Sequence, residues 1–385
     1  MVPPSPVVPP SPVVAVWKAT WLPASQTFIA NQVGSLSRWR PLTIGLRRVE
    51  GLPVVPDLAP FGDGLPSRVG QRVSALAGHR GVYDAVLRES GARLVHAHFG
   101  TGGTGVLPVA RRLGLPLVVT FHGFDVTSLP RRQDRAGRTY RRRLRAVFEY
   151  ADALVAVSEF VVERLVELGA PPAKIRLHHI GIPVDHAPTQ RVDAGRGVTF
   201  VGRLVPKKGV EDLVAAMVVL RRTGRDVPLR IIGDGPLMPQ LRRTAAQARL
   251  DVELPGFCTP DEVAAALRAS AIFCAPSRTA PDGDSEAFGM VFLEAALQGV
   301  PVVAYRHGGV TESVADGVTG LLAPEGDVEA LAAHLATLVD DPARARALGE
   351  AGRRRVLDHF DVREQTRRLE DIYDEVTATA AARRR

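Results

Sequence analysis

Short apolar runs alternate with longer amphipathic stretches along the whole chain, the alternation that builds parallel sheets from strand–helix–strand units. In the first half the predicted strands are VVAVWKA (13–19), RLVHAHF (93–99), PLVVTFH (116–122) and ALVAVS (153–158). In the second half they are GVTFVGR (197–203), PLRIIGD (228–234), AIFCAPS (271–277) and PVVAYR (301–306), each bounded by Gly or Pro. Residues 327–352 predict two helices around the Asp341-Pro342 stop, and 361–380 one more. The polar stretch 186–197 breaks the pattern and restarts into a strand, so it is taken as a linker. The organisation expected is a Pro-rich tail (1–12), a first domain (13–185), the linker (186–197), a second domain (198–360), and a C-terminal helix with a basic tail (361–385). That helix is expected to pack back on the first domain. The fold class is α/β, with two Rossmann-like parallel-sheet domains.

A chain of 385 residues supports two cores, and 45% hydrophobic with 23% charged residues is a globular composition. No apolar run is long enough to cross a membrane. The N-terminal MVPPSPVVPPSP lacks a basic n-region and reads as a polyproline tail, with nothing to direct export. Cys258 and Cys274 are the only cysteines, which excludes a disulfide framework and fits a reducing cytoplasm.

The formal net charge is +8, and all of the excess lies early: residues 1–185 carry 23 Lys and Arg against 13 Asp and Glu. The densest block is RRQDRAGRTYRRRLR (131–145). Arg131, Arg135, Arg138, Arg142 and Arg145 recur at helical spacing, opposite Tyr140, Leu144, Val147 and Phe148. An amphipathic helix is predicted whose basic face meets either solvent or an anionic membrane surface. Nucleic-acid binding lacks its motifs.

GTGGTG (100–105) satisfies the G-x-G-x-x-G of dinucleotide sites, with Asp125 near the place of the ribose-binding acid. It would make the protein an NAD(P)-dependent oxidoreductase. The motif does not follow the first strand, however, and the glycines are expected to permit a tight turn instead. VGRLVPKKG (201–209) ends a strand in Gly202-Arg203 and places Lys208 just before a helix, an arrangement suited to a diphosphate. In DGDSEAFGMVFLEAALQG (282–299), Glu286 precedes a helix opened by Phe288-Gly289-Met290. Glu294 sits within that helix among apolar neighbours, where an acid needs a partner. Asp282-Gly-Asp284 has the D-x-D form of a metal site and is read as a loop element. His96 and His98 share one strand face and are read as buried or cleft-lining residues, not metal ligands.

Taken together, Gly202-Arg203…Lys208-Gly209, Gly233-Asp234-Gly235-Pro236, Pro276-Ser277, Glu286-x7-Glu294, Gly299-x-Pro301 and Asp316-Gly317-x-x-Gly320 resemble family-4 retaining glycosyltransferases of GT-B fold. In the first half, Ser25-Gln26-Thr27-Phe28-Ile29, His96-Ala97-His98-Phe99-Gly100 and Thr120-Phe121-His122-Gly123-Phe124-Asp125 resemble the exopolysaccharide subgroup, including the colanic-acid type. The resemblance implies two facing domains with the reaction in the cleft between them. It implies that Arg203 and Lys208 bind the donor diphosphate, that Glu286 meets the donor sugar, that Glu294 takes the ribose and that His122 lines the cleft near the sugar. It extends the donor contacts to Gly202, Gly233, Asp234 and Phe257, and to Phe288, Gly289, Met290 and Val291. Ser25, Gln26 and His122 fall on the acceptor side. Ser25 and Gln26 belong to Leu22-Pro23-Ala24-Ser25-Gln26, which stands where the family often has a Gly-Gly loop.

The function expected is retaining transfer of a sugar from a nucleotide diphosphate-sugar to an acceptor hydroxyl, with no metal and no cofactor. The acceptor is expected in polysaccharide or glycolipid assembly, on the cytoplasmic side, with the Arg131–Arg145 block facing either solvent or the membrane's inner face. A natural-product aglycone fits the same motifs. The rivals are the oxidoreductase reading, a non-catalytic sugar- or lipid-binding scaffold and a nucleotide-sugar epimerase.

Overall fold

A computed structural model describes residues 11–23, 26–49, 54–61, 70, 81–185 and 195–383. The expectations for the tail before residue 11, for Ser25 and for linker residues 186–194 lie outside the described residues. Among those described, two six-stranded parallel sheets are covered by helices. The first contains β1 (Val13–Trp21), β2 (Arg40–Arg48), β3 (Ala92–His98), β4 (Leu117–Phe121), β5 (Ala153–Ala156) and β6 (Ile175–Leu177), in the order β2-β1-β3-β4-β5-β6. The second contains β7 (Val198–Val201), β8 (Leu229–Ile232), β9 (Val252–Gly256), β10 (Ile272–Cys274), β11 (Val302–Arg306) and β12 (Gly320–Pro324), in the order β12-β11-β10-β7-β8-β9.

The eight strands predicted from apolar runs are all present. They are the inner strands, apolar on both faces because helices cover both sides of the sheet. Val95, Val119, Leu154, Phe200, Ile231 and Val303 are wholly buried. In each sheet the strand order reverses at the strand that opens the domain. β1 lies between β2 and β3, and β7 lies between β8 and β10. Such reversals leave a crevice at the carboxyl ends of the strands, where open α/β sheets take their ligands.

Two local expectations are corrected. The GTGGTG run forms no turn: it is the first part of the helix Gly100–Leu113. Its glycines serve close packing, since a side chain on Gly100 would overlap the Tyr140 hydroxyl and one on Gly103 would press on Val119 at 3.0 Å. The arginine stripe is also shorter than its spacing implied. The helix starts at Arg135, capped by Asp134 accepting from Gly137 N, and Arg131 ends a separate turn, Ser128–Arg131. Tyr140, Leu144, Val147 and Phe148 are its buried face.

The helix Val362–Ala382 follows the second sheet in sequence but lies on the first. Tyr373 donates to or accepts from His96 Nδ1 at 2.6 Å, and the buried Glu370 carboxylate accepts from the backbone amides of Ser37, Arg38 and Trp39. The chain thus crosses between sheets twice. The two crossings run side by side, with Ile182 N bonded to Phe360 O (2.8 Å) and Val362 N to Ile182 O (3.0 Å).

Candidate active site

The turn that leaves β7, at the reversal of the second sheet, carries Gly202 and the exposed Arg203, then the 3-10 turn Pro206–Lys208. Gly209 has φ +64° and starts the helix Val210–Arg222. A side chain there would overlap the Pro276 carbonyl, so this glycine lets the loops after β7 and β10 touch. Across that contact Lys208 Nζ forms an ion pair with Glu286 Oε2, and Ser277 Oγ lies 3.5 Å from the same oxygen. The Glu286 amide donates to His307 Nε2 (3.2 Å), and His307 Nδ1 meets Glu325 Oε2 at 2.8 Å. Because Nε2 accepts, the ring proton sits on Nδ1 and is donated to Glu325. Burial alone would raise the Glu286 carboxyl, but the Lys208 and Lys207 ammoniums hold it below its ordinary value.

Gly289, at φ +83°, caps the helix Met290–Leu297 without a side-chain hydrogen bond. The Met290 and Val291 amides therefore open the first turn with no intrahelical acceptor. Phe288 is buried, stacked on His179. One helical turn further, Glu294 has no hydrogen-bond or ionic partner among the described residues, and burial raises its carboxyl. The Arg203 guanidinium likewise has no partner among them. Gly233 packs against the Gly202 carbonyl, too close for any side chain, and the Asp234 carboxylate accepts from Gly235 N at 2.7 Å. Phe257, just past β9, is 73% exposed. Arg203, Lys208, Glu286, Gly289 and Met290 lie together at the β7–β10 edge. Asp234 and Phe257 follow β8 and β9, the two strands on one side of β7.

The first sheet supplies the other wall. Asp125 is fully buried and accepts from the amides of Gly100 (2.7 Å), His122 (3.2 Å) and Gly123 (2.9 Å). It stands at the start of the Gly100–Leu113 helix, where a dinucleotide phosphate would have to be. The chain itself thus fills the position that the oxidoreductase reading needs. His98 Nδ1 and His122 Nε2 are 3.1 Å apart. Burial lowers both rings well below the ordinary histidine value, so both are neutral. Whichever ring donates, the pair keeps one N–H and one lone pair, on His98 Nε2 and His122 Nδ1, and neither atom has a partner among the described residues. The buried Gln26 Oε1 is also without a partner among them. His96 is bonded to Thr120 Oγ1 (2.7 Å) and Tyr373, and is a core residue.

The walls meet directly. Thr127 Oγ1 reaches Asp284 Oδ1 at 3.4 Å, and Glu312 accepts from Glu159 N (2.9 Å) and contacts His179 Nε2 (2.8 Å). Asp284 also pairs with Lys207 at 2.8 Å, while Asp282 accepts from Asp284 N at 3.0 Å. Asp282 is thus engaged inside the loop, and Asp284 by Lys207 and Thr127 beyond it. Among the described residues no cluster of three His, Cys, Asp or Glu is arranged to hold a metal.

The motifs did not point to Lys18, Lys207, His307, Glu325 or Glu312. Lys18 carried a usable signal, a lone charge inside VVAVWKATW. The His307–Glu325 relay carried none, because it joins two loops that only the fold brings together.

Residues 183–355 match the family described as Glycosyl transferases group 1, and residues 53–186 the one described as Glycosyltransferase Family 4. The chain is 31% identical over 372 residues to a GDP-mannose-dependent alpha-(1-6)-phosphatidylinositol monomannoside mannosyltransferase of Mycolicibacterium smegmatis, covering 90% of this chain and 94% of that protein. It is 34% identical over 248 residues to the putative colanic acid biosynthesis glycosyltransferase WcaL of Salmonella typhimurium, which spans 62% of this chain and 60% of that protein's length. In fold it is similar to the sucrose-phosphate synthase from Thermosynechococcus elongatus, with a TM-score of 0.75 at 21% identity over 96% of this chain and 100% of that one.

Proposed function

Since the chain belongs to the family-4, group 1 glycosyltransferases and has their GT-B fold, we propose that it moves a hexose, with retention, from a nucleotide diphosphate-sugar to a hydroxyl in polysaccharide or glycolipid assembly. The carrying observation is the Lys208–Glu286 pair at the β7–β10 crevice, beside the unpaired Arg203 and the open first turn at Met290. Arg203, Lys208 and those amides take the charge that develops on the leaving diphosphate. Glu286 supports the positive charge on the sugar, and Glu294 receives the ribose hydroxyls. As the C1–O bond to phosphate breaks, the new C1–O bond forms on the same face, and the acceptor proton passes to the departing phosphate oxygen. His122 lines the sugar's other side. The similarity to a GDP-mannose-dependent enzyme makes GDP the first base to test. Thermal melts with GDP, UDP and NAD(P) decide the matter: at 100 times Kd a nucleoside diphosphate adds about 2.7 kcal/mol. EDTA should leave that gain and the transfer rate unchanged. Stabilisation by NAD(P) alone, or a requirement for added divalent metal, overturns the reading.

The basic helix supports a second part of the proposal, peripheral contact with an anionic membrane surface. Arg135, Arg142, Arg143 and Arg145 are exposed and have no ionic or hydrogen-bond partner among the described residues. No described helix is long and apolar enough to span a membrane. The protein should sediment with vesicles of phosphatidylglycerol and stay in solution with phosphatidylcholine. Charge reversal of Arg142 and Arg145 should abolish the difference, and equal sedimentation with both lipids sinks it.

A further inference from the structure

Lys18 is a charged feature of the first wall that the transfer chemistry above leaves unused. It lies on β1, the strand at which the first sheet reverses, so it stands at that domain's own ligand crevice. Its ammonium sits 4.8 Å over the Phe99 ring. Phe99 is held at φ +67°, ψ 148°, a conformation nearly reserved for glycine, and its ring also packs on His122 at 4.5 Å. The strained turn thus fixes an aromatic floor beneath a half-buried cation.

No carboxylate or carbonyl among the described residues answers that cation. Among the described residues Lys18 makes no hydrogen bond or ion pair. The acid whose charge acts on it, Asp125, is already taken by three backbone amides. A buried ammonium has three donors and no acceptor, and it is costly unless something neutralises it. Beside it, the neutral His98–His122 pair offers one N–H and one lone pair, and Gln26 Oε1 a further acceptor, all unpartnered among the described residues. A charge-neutral pair of rings suits sugar hydroxyls. The ammonium requires an acceptor-only group of negative charge.

We propose that Lys18 anchors an oxyanion carried by the acceptor, a phosphate or a carboxylate, on the first domain's side of the cleft. The inference rests on the glycosyl-transfer reading, and it separates the two anions of the reaction. The donor diphosphate belongs to Arg203 and Lys208 on the opposite wall, whereas the acceptor's anion is read by Lys18, its neighbouring hydroxyls falling to His98, His122 and Gln26.

The test uses the whole protein saturated with GDP or UDP, so that the diphosphate site is filled, and titrates three probes by calorimetry: glucose 1-phosphate, glucuronate and methyl glucoside. At least one anion should bind, and which of them binds identifies the oxyanion. Lys18→Gln should weaken that binding about tenfold or more, and Lys18→Arg should recover it. Both variants should keep the nucleoside diphosphate affinity, which doubles as the check of folding. Burial brings the Lys18 ammonium down to about 8, against the pull of Asp125. Binding should therefore fall as pH rises through that region, above the titration of the other groups facing it, Asp125, His98 and His122. The proposal is overturned if methyl glucoside binds as well as either anion, if neither anion binds the nucleotide-saturated protein, or if Lys18→Gln binds them like the native chain. Failure of every nucleoside diphosphate to bind overturns the transferase reading instead.

Discussion

Replacing Glu286 by alanine, or Lys208 by alanine, should lower the rate of sugar transfer about 100- to 1,000-fold while the protein remains folded. The two losses should be separable. In the proposed roles Lys208→Ala takes a cation from the diphosphate, and it should also weaken nucleoside diphosphate binding about tenfold. Glu286→Ala removes the group proposed to face the sugar and should leave that affinity nearly intact. Because the side chains are directly paired, the double substitution should cost less than the sum of the singles. Single-turnover rates and calorimetric binding with the three variants check this. Native rates in either single variant would remove that residue from the site.

The second large effect concerns acid. His96, His98 and His178 are buried. Burial pushes His96 down to about 3 and His178 to about 4, and His98 well below the ordinary value. An unfolded chain protonates all three near pH 6.5, whereas the folded chain resists, so stability present above that pH is lost as pH falls toward 4. Each proton contributes a slope of about 1.4 kcal/mol per pH unit. Asp125, pushed up to about 6 by burial, keeps a proton in the folded state and opposes the trend by one. His122, whose ring burial also lowers, adds a fourth histidine, so a net of about three protons gives about 4 kcal/mol per pH unit between pH 6 and 5, enough to consume the 5–15 kcal/mol of an ordinary domain within a few units. Urea melts across that range measure the slope directly. His178→Gln should reduce it by about a third, and a flat profile would contradict the burial of these rings.

Which strands were legible in the sequence follows from where they lie. The four strands missed, Arg40–Arg48, Ile175–Leu177, Val252–Gly256 and Gly320–Pro324, are the two edges of each sheet. An edge strand is paired on one side only and is often short or charged, which hides three of the four, while Gly320–Pro324 is apolar but only a five-residue run opened by Gly and closed by Pro. Arg47 and Arg48 interrupt one, and Glu253, paired with Arg230, interrupts another. The glycine run failed for a different reason. Its composition fits both a turn and a helix packed against large side chains, and only Tyr140 and Val119 decide between them.

In the site, the residues that motifs could name are those whose spacing is local to one loop and helix, such as Glu286, Gly289 and Glu294. Lys208 meets Glu286 across 78 residues; the resemblance implied a role for each, but not that they pair. Lys18 was passed over because a single lysine forms no motif. Its meaning comes from Phe99 and from a missing counter-charge, neither of which a strand sequence displays.

The return of the helix Val362–Ala382 to the first sheet sets the order in which the protein can be finished as it is made. β6 leaves the ribosome some 185 residues before that helix begins. At ordinary elongation rates this is a wait of roughly 10–40 s. Until then Val14, Val16 and Val118 lack their cover of Leu369, Tyr373 and Val376, and the loop at Ser37–Trp39 lacks the Glu370 carboxylate. The second domain has no such debt and can close first. The half of the enzyme made first is therefore completed last, with its sheet face open to chaperones during the interval.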